Sequence, residues 1–224
     1  MSQRGRQGVP KGLSKTSLSE VAYGHLVQAI QTGELGPGTR MREVELADRF
    51  GISRTPIRDA MVRLEAEGLI THQPRQGAVV RSLSHREIME LYEMRQVLEG
   101  TAARNASVHA SEPERNELER LNELMRDSAG DPEKVAGINR RFHAVLYECS
   151  HNRFLLLALE SMANSMALLG PTTLASTDRT MTAAREHADI LEAVALAQAN
   201  QAEQAARAHI QSAQQARLEL LRNF

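Results

Sequence analysis

Apolar positions recur at helical spacing from residue 18 nearly to the C-terminus. Val21, His25, Leu26, Ala29 and Ile30 share one face of a 3.6-residue period, and the glycines between residues 33 and 38 stop that run. A short helix is expected over Glu43–Phe50, followed by a tight turn through Gly51, Ile52 and Ser53. Ser53 suits an N-cap and Pro56 the first turn of the next helix, whose apolar face is Ile57, Ala60, Met61 and Leu64 and whose end is Gly68. Residues 69–71 and 78–80 are β-prone, and residues 73–77, reading Gln-Pro-Arg-Gln-Gly, join them like the tip of a hairpin. Past Arg81 the period is helical throughout. Ser84 with Glu87 and Ser111 with Glu114 form capping boxes, Asn200 with Glu203 a looser one, and Asp131-Pro132 is a cap followed by proline at the first helical position. Six helices are expected near 84–107, 112–128, 132–150, 152–169, 178–199 and 201–222.

These elements define a mainly α fold. Residues 18–81 make an N-terminal winged helix-turn-helix, and residues 82–224 a C-terminal six-helix antiparallel bundle. Residues 1–17, with Arg4, Arg6, Lys11 and Lys15 but no apolar period, read as a disordered basic arm. Aromatic residues are 3% of the chain, so Leu, Ala, Met and Val must fill the bundle.

Charge sharpens the division. The chain carries a formal net charge of -1. Through Arg81 there are 12 Lys and Arg against 8 Asp and Glu, whereas the remainder has 15 against 20. A basic first third ahead of an acidic remainder points to a polyanionic partner for the first third alone. No apolar run is long enough to span a bilayer and no secretory leader is evident, so a cytoplasmic protein without membrane contact is expected. The single cysteine, Cys149, excludes an internal disulfide framework and reads as a small buried hydrophobe.

Helix, turn, helix and hairpin in this order suit double-stranded DNA, with the second helix in the major groove. Arg54 and Arg58 stand four residues apart, beside the apolar stripe and clear of it. A guanidinium fork can bond guanine O6 and N7 together. Ser53 and Thr55 at the helix start can hold phosphate, and Arg75, Gln76 and Gly77 at the hairpin tip can reach the neighbouring groove or backbone. The stretch Glu43–Leu69, E-V-E-L-A-D-R-F-G-I-S-R-T-P-I-R-D-A-M-V-R-L-E-A-E-G-L, resembles the winged helix of the GntR family of regulators. Several members of that family use an arginine on DNA where this chain has Val44. The resemblance therefore implies DNA binding with an altered preference or affinity, and it implies a homodimer on a palindromic operator. Dimerisation also fits the geometry, because one helix-turn-helix reads only a half-site.

Three histidines of the C-terminal part lie on or beside apolar stripes. His143 neighbours Phe142 and Leu146, with Asn139 one turn earlier. His187 precedes Ile190, Leu191 and Val194, and His209 shares a face with Ala202, Ala205, Ala206, Ala213 and Ala216. A buried imidazole needs a hydrogen-bond partner or a metal, and three of them with an amide oxygen can converge on one divalent cation. Neutral imidazoles suit Zn²⁺ or Ni²⁺. The pieces Asn139-x-x-x-His143 with Leu146, Glu186-His187-x-x-Ile190-x-x-Ala193 and Ala205-x-x-x-His209-Ile210 resemble the FCD domain of the FadR subfamily, and six helices are similar to its VanR group. In metal-binding relatives the matching residues are an Asp or Asn and three His, which implies Asn139, His143, His187 and His209 as the ligand set.

Arg95 is anomalous, because it lies on the stripe of Ile88, Leu91, Leu98 and Ala102. It either pairs internally with Glu99, four residues on, or clamps an effector carboxylate that also meets the metal. The leading expectation is a ligand-responsive regulator, a repressor controlled by a small carboxylate at a metal site. The alternatives are a regulator whose effector is the cation itself and a metal-dependent hydrolase. Against the hydrolase, no H-E-x-x-H occurs, and Glu186 points about 100° around the helix from its neighbour His187.

Overall fold

The computed structural model describes residues 17–222; the expected basic arm lies outside the described residues except for Ser17. Among the described residues, nine helices and one two-stranded sheet follow in chain order: α1 (Leu18–Gln31), α2 (Glu43–Phe50), α3 (Arg54–Ala66), β1 (Ile70–Gln73), β2 (Gly77–Val80), α4 (His85–His109), α5 (Glu112–Asp127), α6 (Pro132–Glu148), α7 (Arg153–Ala167), α8 (Thr177–Ala195) and α9 (Ala199–Arg222). None of the helices described is long and apolar enough to cross a membrane.

Local chemistry sets the boundaries. Gly51 closes α2 at φ 64°, a left-handed conformation that costs glycine nothing. Ser53 then takes the extended conformation of an N-cap. The capping box at Ser84–Glu87 forms with both bonds in place, the Glu114 carboxylate accepts from the Ser111 N–H and hydroxyl, and the Asp131 side chain caps α6. Asn200 departs from expectation. It lies inside α9 and its side-chain oxygen accepts from Arg104 Nη1 at 2.5 Å, so it ties two helices together rather than capping one.

The wing pairs β1 with β2 antiparallel, Ile70 opposite Val80 and Gln73 opposite Gly77. A third backbone segment, unread from sequence, lies along its edge: Arg40 bridges Val79, Met41 N–H donates to the Ala78 carbonyl, and Gly38 N–H donates to that of Val80. This edge runs along β2 from Val80 to Ala78, so the Pro74–Gln76 tip projects from a fixed base.

Two main cores result. Leu26, Ile57, Leu64 and Leu69 are fully buried in the winged-helix core, where truncating any leucine to alanine would cost about 2–5 kcal/mol. Ala167 and Leu168, at the end of α7, also pack into this core and lock the bundle onto it. The bundle core centres on Leu118, Met125, Phe142, Leu146 and Ile190.

Candidate functional site

The exposed face of α3 carries the expected DNA-reading residues. Ser53, Arg54, Thr55 and Arg58 are exposed, and the Ser53 hydroxyl makes no cap bond and is free to meet phosphate. Arg58 is not a free guanidinium. Its Nε and Nη2 donate to the two carboxylate oxygens of Glu43 at 2.8 Å each, and Arg54 Nη2 lies 3.5 Å from the same carboxylate. Glu43, from α2, thus holds both arginines on one side of the helix. Val44 is 52% exposed next to it. At the wing tip Arg75 and Gln76 are exposed, and Arg75 takes a left-handed φ of 66°. A non-glycine residue in that region is uncommon.

The second constellation is buried. His143 from α6, His187 from α8 and His209 from α9 bring one ring nitrogen each to within 4.8 Å of one another. His209 Nδ1 lies 2.7 Å from Glu186 Oε2, and His143 Nδ1 lies 3.0 Å from Glu99 Oε2 without forming a hydrogen bond. With both Nδ1 atoms turned to carboxylates, both Nε2 atoms turn inward and stand 3.2 Å apart. Two nitrogens at about 2.0–2.1 Å from one cation, at right-angled to tetrahedral geometry, would be about 2.9–3.4 Å apart. His187 stacks on Phe142 at 3.9 Å, and neither of its ring nitrogens has a partner; Asn139 Oδ1 is likewise buried and unpartnered. Orphaned buried polar atoms of this kind are rare and call for a ligand. Three imidazoles so placed fit a divalent metal, and the unpartnered Asn139 oxygen lies one helical turn before His143 on α6.

Electrostatics agree. Burial, reinforced by the neighbouring histidines, holds His187 well below the ordinary imidazole range. Burial also lowers His209 to about 4, against the opposing pull of Glu186. Both imidazoles are therefore neutral at pH 7, the form that ligates metals.

The sequence reading missed two carboxylates at this site. Glu186 does point away from His187, as helix geometry requires, yet it reaches His209 on the adjacent α9 and accepts from Arg179 Nη1 at 3.2 Å. Glu99, 1% exposed, faces His143 while also accepting from Arg95 Nε at 2.8 Å. Burial works to raise its pKa, but Arg95 and then His143 hold it well below the usual carboxylate range. Both carboxylates thus stand behind the imidazoles, each also paired with an arginine. Such carboxylate partners fix ring orientation and raise ligand basicity. Arg95 makes the internal pair, through Nε alone, and still lines a cavity of about 130 Å³ with Tyr92, Asn139, His143, Arg179, His209 and Arg217.

That cavity touches the winged helix through one short segment. Leu169, Thr172, Thr173 and Leu174 form part of its wall. Leu168, the preceding residue, lies in the winged-helix core, and Pro171 packs where a Cβ on Gly33, just past α1, would come within 3.2 Å of its ring.

Comparison with known proteins covers both regions. Residues 18–80 match the family model described as bacterial regulatory proteins, gntR family, and residues 90–212 match that of the FCD domain. The chain is 34% identical over 176 residues to an uncharacterized HTH-type transcriptional regulator, YdhC, of Bacillus subtilis (strain 168), covering 77% of this chain and 78% of that one. It is 30% identical over 205 residues to a probable D-xylose utilization operon transcriptional repressor of Paenarthrobacter nicotinovorans, covering 89% and 88%. Among solved structures, E. coli McbR/YncC shares the fold at a TM-score of 0.80 and 22% identity, over 92% of this chain and 99% of that one.

Proposed function

The chain belongs to the GntR family of regulators and carries the FCD domain behind its winged helix, and on that premise we propose a repressor whose grip on DNA is set by a small carboxylate bound at a metal in the bundle. The coarser statement stands on family membership alone: this is a transcriptional regulator, not an enzyme. The observation that carries the finer reading is the convergence of three buried ring nitrogens, two of whose histidines, His143 and His209, line an arginine-rich cavity together with Asn139, whose oxygen is orphaned. Asn139, His143, His187 and His209 would hold the cation, Zn²⁺ or Ni²⁺ by ligand type. All four ligands are uncharged, so a bound cation would offer its open positions to an anion. Arg95, paired with Glu99 through Nε, also lines the cavity and can donate a hydrogen bond to the same carboxylate without adding net charge.

On DNA, Arg54 and Arg58 read base edges while Ser53, Thr55, Arg75, Gln76 and Gly77 position the wing and helix on phosphates. Two copies bind a palindromic operator as a homodimer, the arrangement that lets two half-site contacts multiply affinity. A monomer by light scattering, both free and on operator DNA, would refute the dimer.

The central test compares parent protein with His187→Ala after reconstitution with excess Zn²⁺ or Ni²⁺. Elemental analysis should find less metal in the variant. DNA titration should show unchanged effector-free binding and a lost response to small acids. Equal metal in both proteins, or none in the parent, would leave the histidines as core residues. Release of DNA by metal alone, reversed by a chelator and indifferent to acids, would make the cation itself the effector.

A further inference from the structure

The wall of the bundle cavity holds three guanidinium groups, Arg95, Arg179 and Arg217. Two of them have carboxylate partners: Arg95 pairs with Glu99 at 2.8 Å, and Arg179 with Glu186 at 3.2 Å. Arg217 has none among the described residues. It is 7% exposed, its Nη2 donates to the Pro171 carbonyl at 2.7 Å, and its Nε is buried without a partner. A neutral carbonyl does not answer a buried positive charge, and burying a charge without a counter-charge is costly. The cavity is therefore left with one positive charge in excess, because its two buried or half-buried carboxylates are matched by Arg95 and Arg179. A dipositive ion on uncharged ligands would raise the excess to three. One carboxylate at the metal would not consume it.

We propose that the effector is a small dianion, with one carboxylate toward the histidine cluster and a second anionic group, carboxylate or phosphate, held by Arg217. This rests on the metal-site reading for the first group and on Arg217 alone for the second. The cavity of about 130 Å³ gives room for a molecule of roughly ten non-hydrogen atoms, which suits a short-chain diacid or a phosphorylated hydroxy acid. Arg217 is the anchor rather than Arg95, because the Arg95 charge is already spent on Glu99. The position has a further logic: an anion on Arg217 competes with the Pro171 carbonyl for the same guanidinium, in the segment that packs against Gly33 of the winged-helix domain.

The test is calorimetric titration of zinc-loaded full-length protein with acetate, malonate, succinate and phosphoglycolate. At least one dianion should bind about tenfold or more tighter than acetate. Malonate or succinate against phosphoglycolate then decides whether the second group is carboxylate or phosphate. In Arg217→Gln, which can still donate to the Pro171 carbonyl, the preference should collapse to within about twofold while acetate affinity stays unchanged. Arg217→Lys, which keeps the charge and loses the fork, should retain part of the preference and serves if the glutamine variant does not fold. Equal affinity for acetate and every dianion in the parent, a preference that survives Arg217→Gln, or no binding of any probe at millimolar concentration overturns the proposal. Chelator-treated protein separates the two readings. If dianions bind it as well as the zinc-loaded form and still depend on Arg217, the metal reading fails and the Arg217 anchor stands.

Discussion

Replacing Arg95 by methionine removes one half of an ion pair whose side chains are 7% and 1% exposed. Methionine keeps most of the volume but removes the guanidinium, which also lies 5.0 Å over the Tyr92 ring. At 2.8 Å and an effective dielectric of about 20, the gross attraction is about 6 kcal/mol, much of it offset by the desolvation of both groups. What the variant suffers is the uncompensated carboxylate left behind, a loss of about 3–5 kcal/mol. In a chain of 224 residues that corresponds to a melting temperature lower by roughly 6–20 °C. The assay is thermal and urea unfolding of metal-free protein at pH 7, with the double variant Arg95→Met/Glu99→Gln completing a cycle. The double variant should recover about 2 kcal/mol or more of the single loss, since no uncompensated buried carboxylate remains.

Acid supplies an independent check. In the parent, Glu99 is held below its unfolded value, so its contribution is present above about pH 4.3 and is lost as pH falls. In Arg95→Met the guanidinium is gone, burial governs, and the folded pKa should exceed the unfolded one. The variant's deficit should therefore be largest at neutral pH and narrow through the carboxylate range. A variant melting within about 2 °C of the parent, with no such narrowing, would refute the structural pair and leave Arg95 to the effector alone.

Three further outcomes follow from particular contacts. Arg58→Ala should weaken operator binding by about 1–3 kcal/mol in a gel-shift titration and barely move the melting temperature, because its pair with Glu43 is solvent-exposed; normal operator affinity would mean that the assigned face of α3 is wrong. Gly33→Ala combines a left-handed φ of 81° with a Cβ 3.2 Å from the Pro171 ring, so urea unfolding should show a loss of about 1–3 kcal/mol, and an unchanged midpoint would count against that contact. Cys149 is fully buried and its thiol is pushed up to about 12 by burial, so mass spectrometry should find no iodoacetamide adduct on native protein at pH 8 and complete alkylation in denaturant.

The winged helix was legible because its signals are local. Gly51 must adopt a left-handed turn, Ser53 must cap, and the stripe from Ile57 to Leu64 must turn inward, all within about four turns of chain. The strip at Arg40 was not legible, because Gly36-Pro37-Gly38 reads as a breaker and its pairing is decided by β2, some forty residues on. The histidines were visible as polar residues on apolar stripes, and Arg95 as a charge on one. Arg217 carries the same signal: it continues the stripe of Ala202, Ala206, Ile210 and Ala213 at helical spacing. Reading that stripe one turn further would have found it.

The carboxylates are different in kind. Glu186 faces away from His187 on its own helix, so a one-helix argument discards it. Its role comes from α9 lying alongside α8, which places His209 Nδ1 at 2.7 Å. Glu99 was readable as a partner for Arg95, but its second oxygen reaches His143 only because α6 packs against α4. The segment after α7 shows the limit most plainly. Leu168 and Leu169 are identical neighbours in the sequence, and no period distinguishes them. Yet Leu168 is buried in the winged-helix core while Leu169 lines the bundle cavity, and Pro171 touches the cavity's Arg217 through its carbonyl and abuts Gly33 with its ring. Packed interiors transmit displacement rather than absorb it. A shift of this wall by whatever occupies the cavity would therefore be met at the end of α1, in the winged helix that carries Arg54 and Arg58.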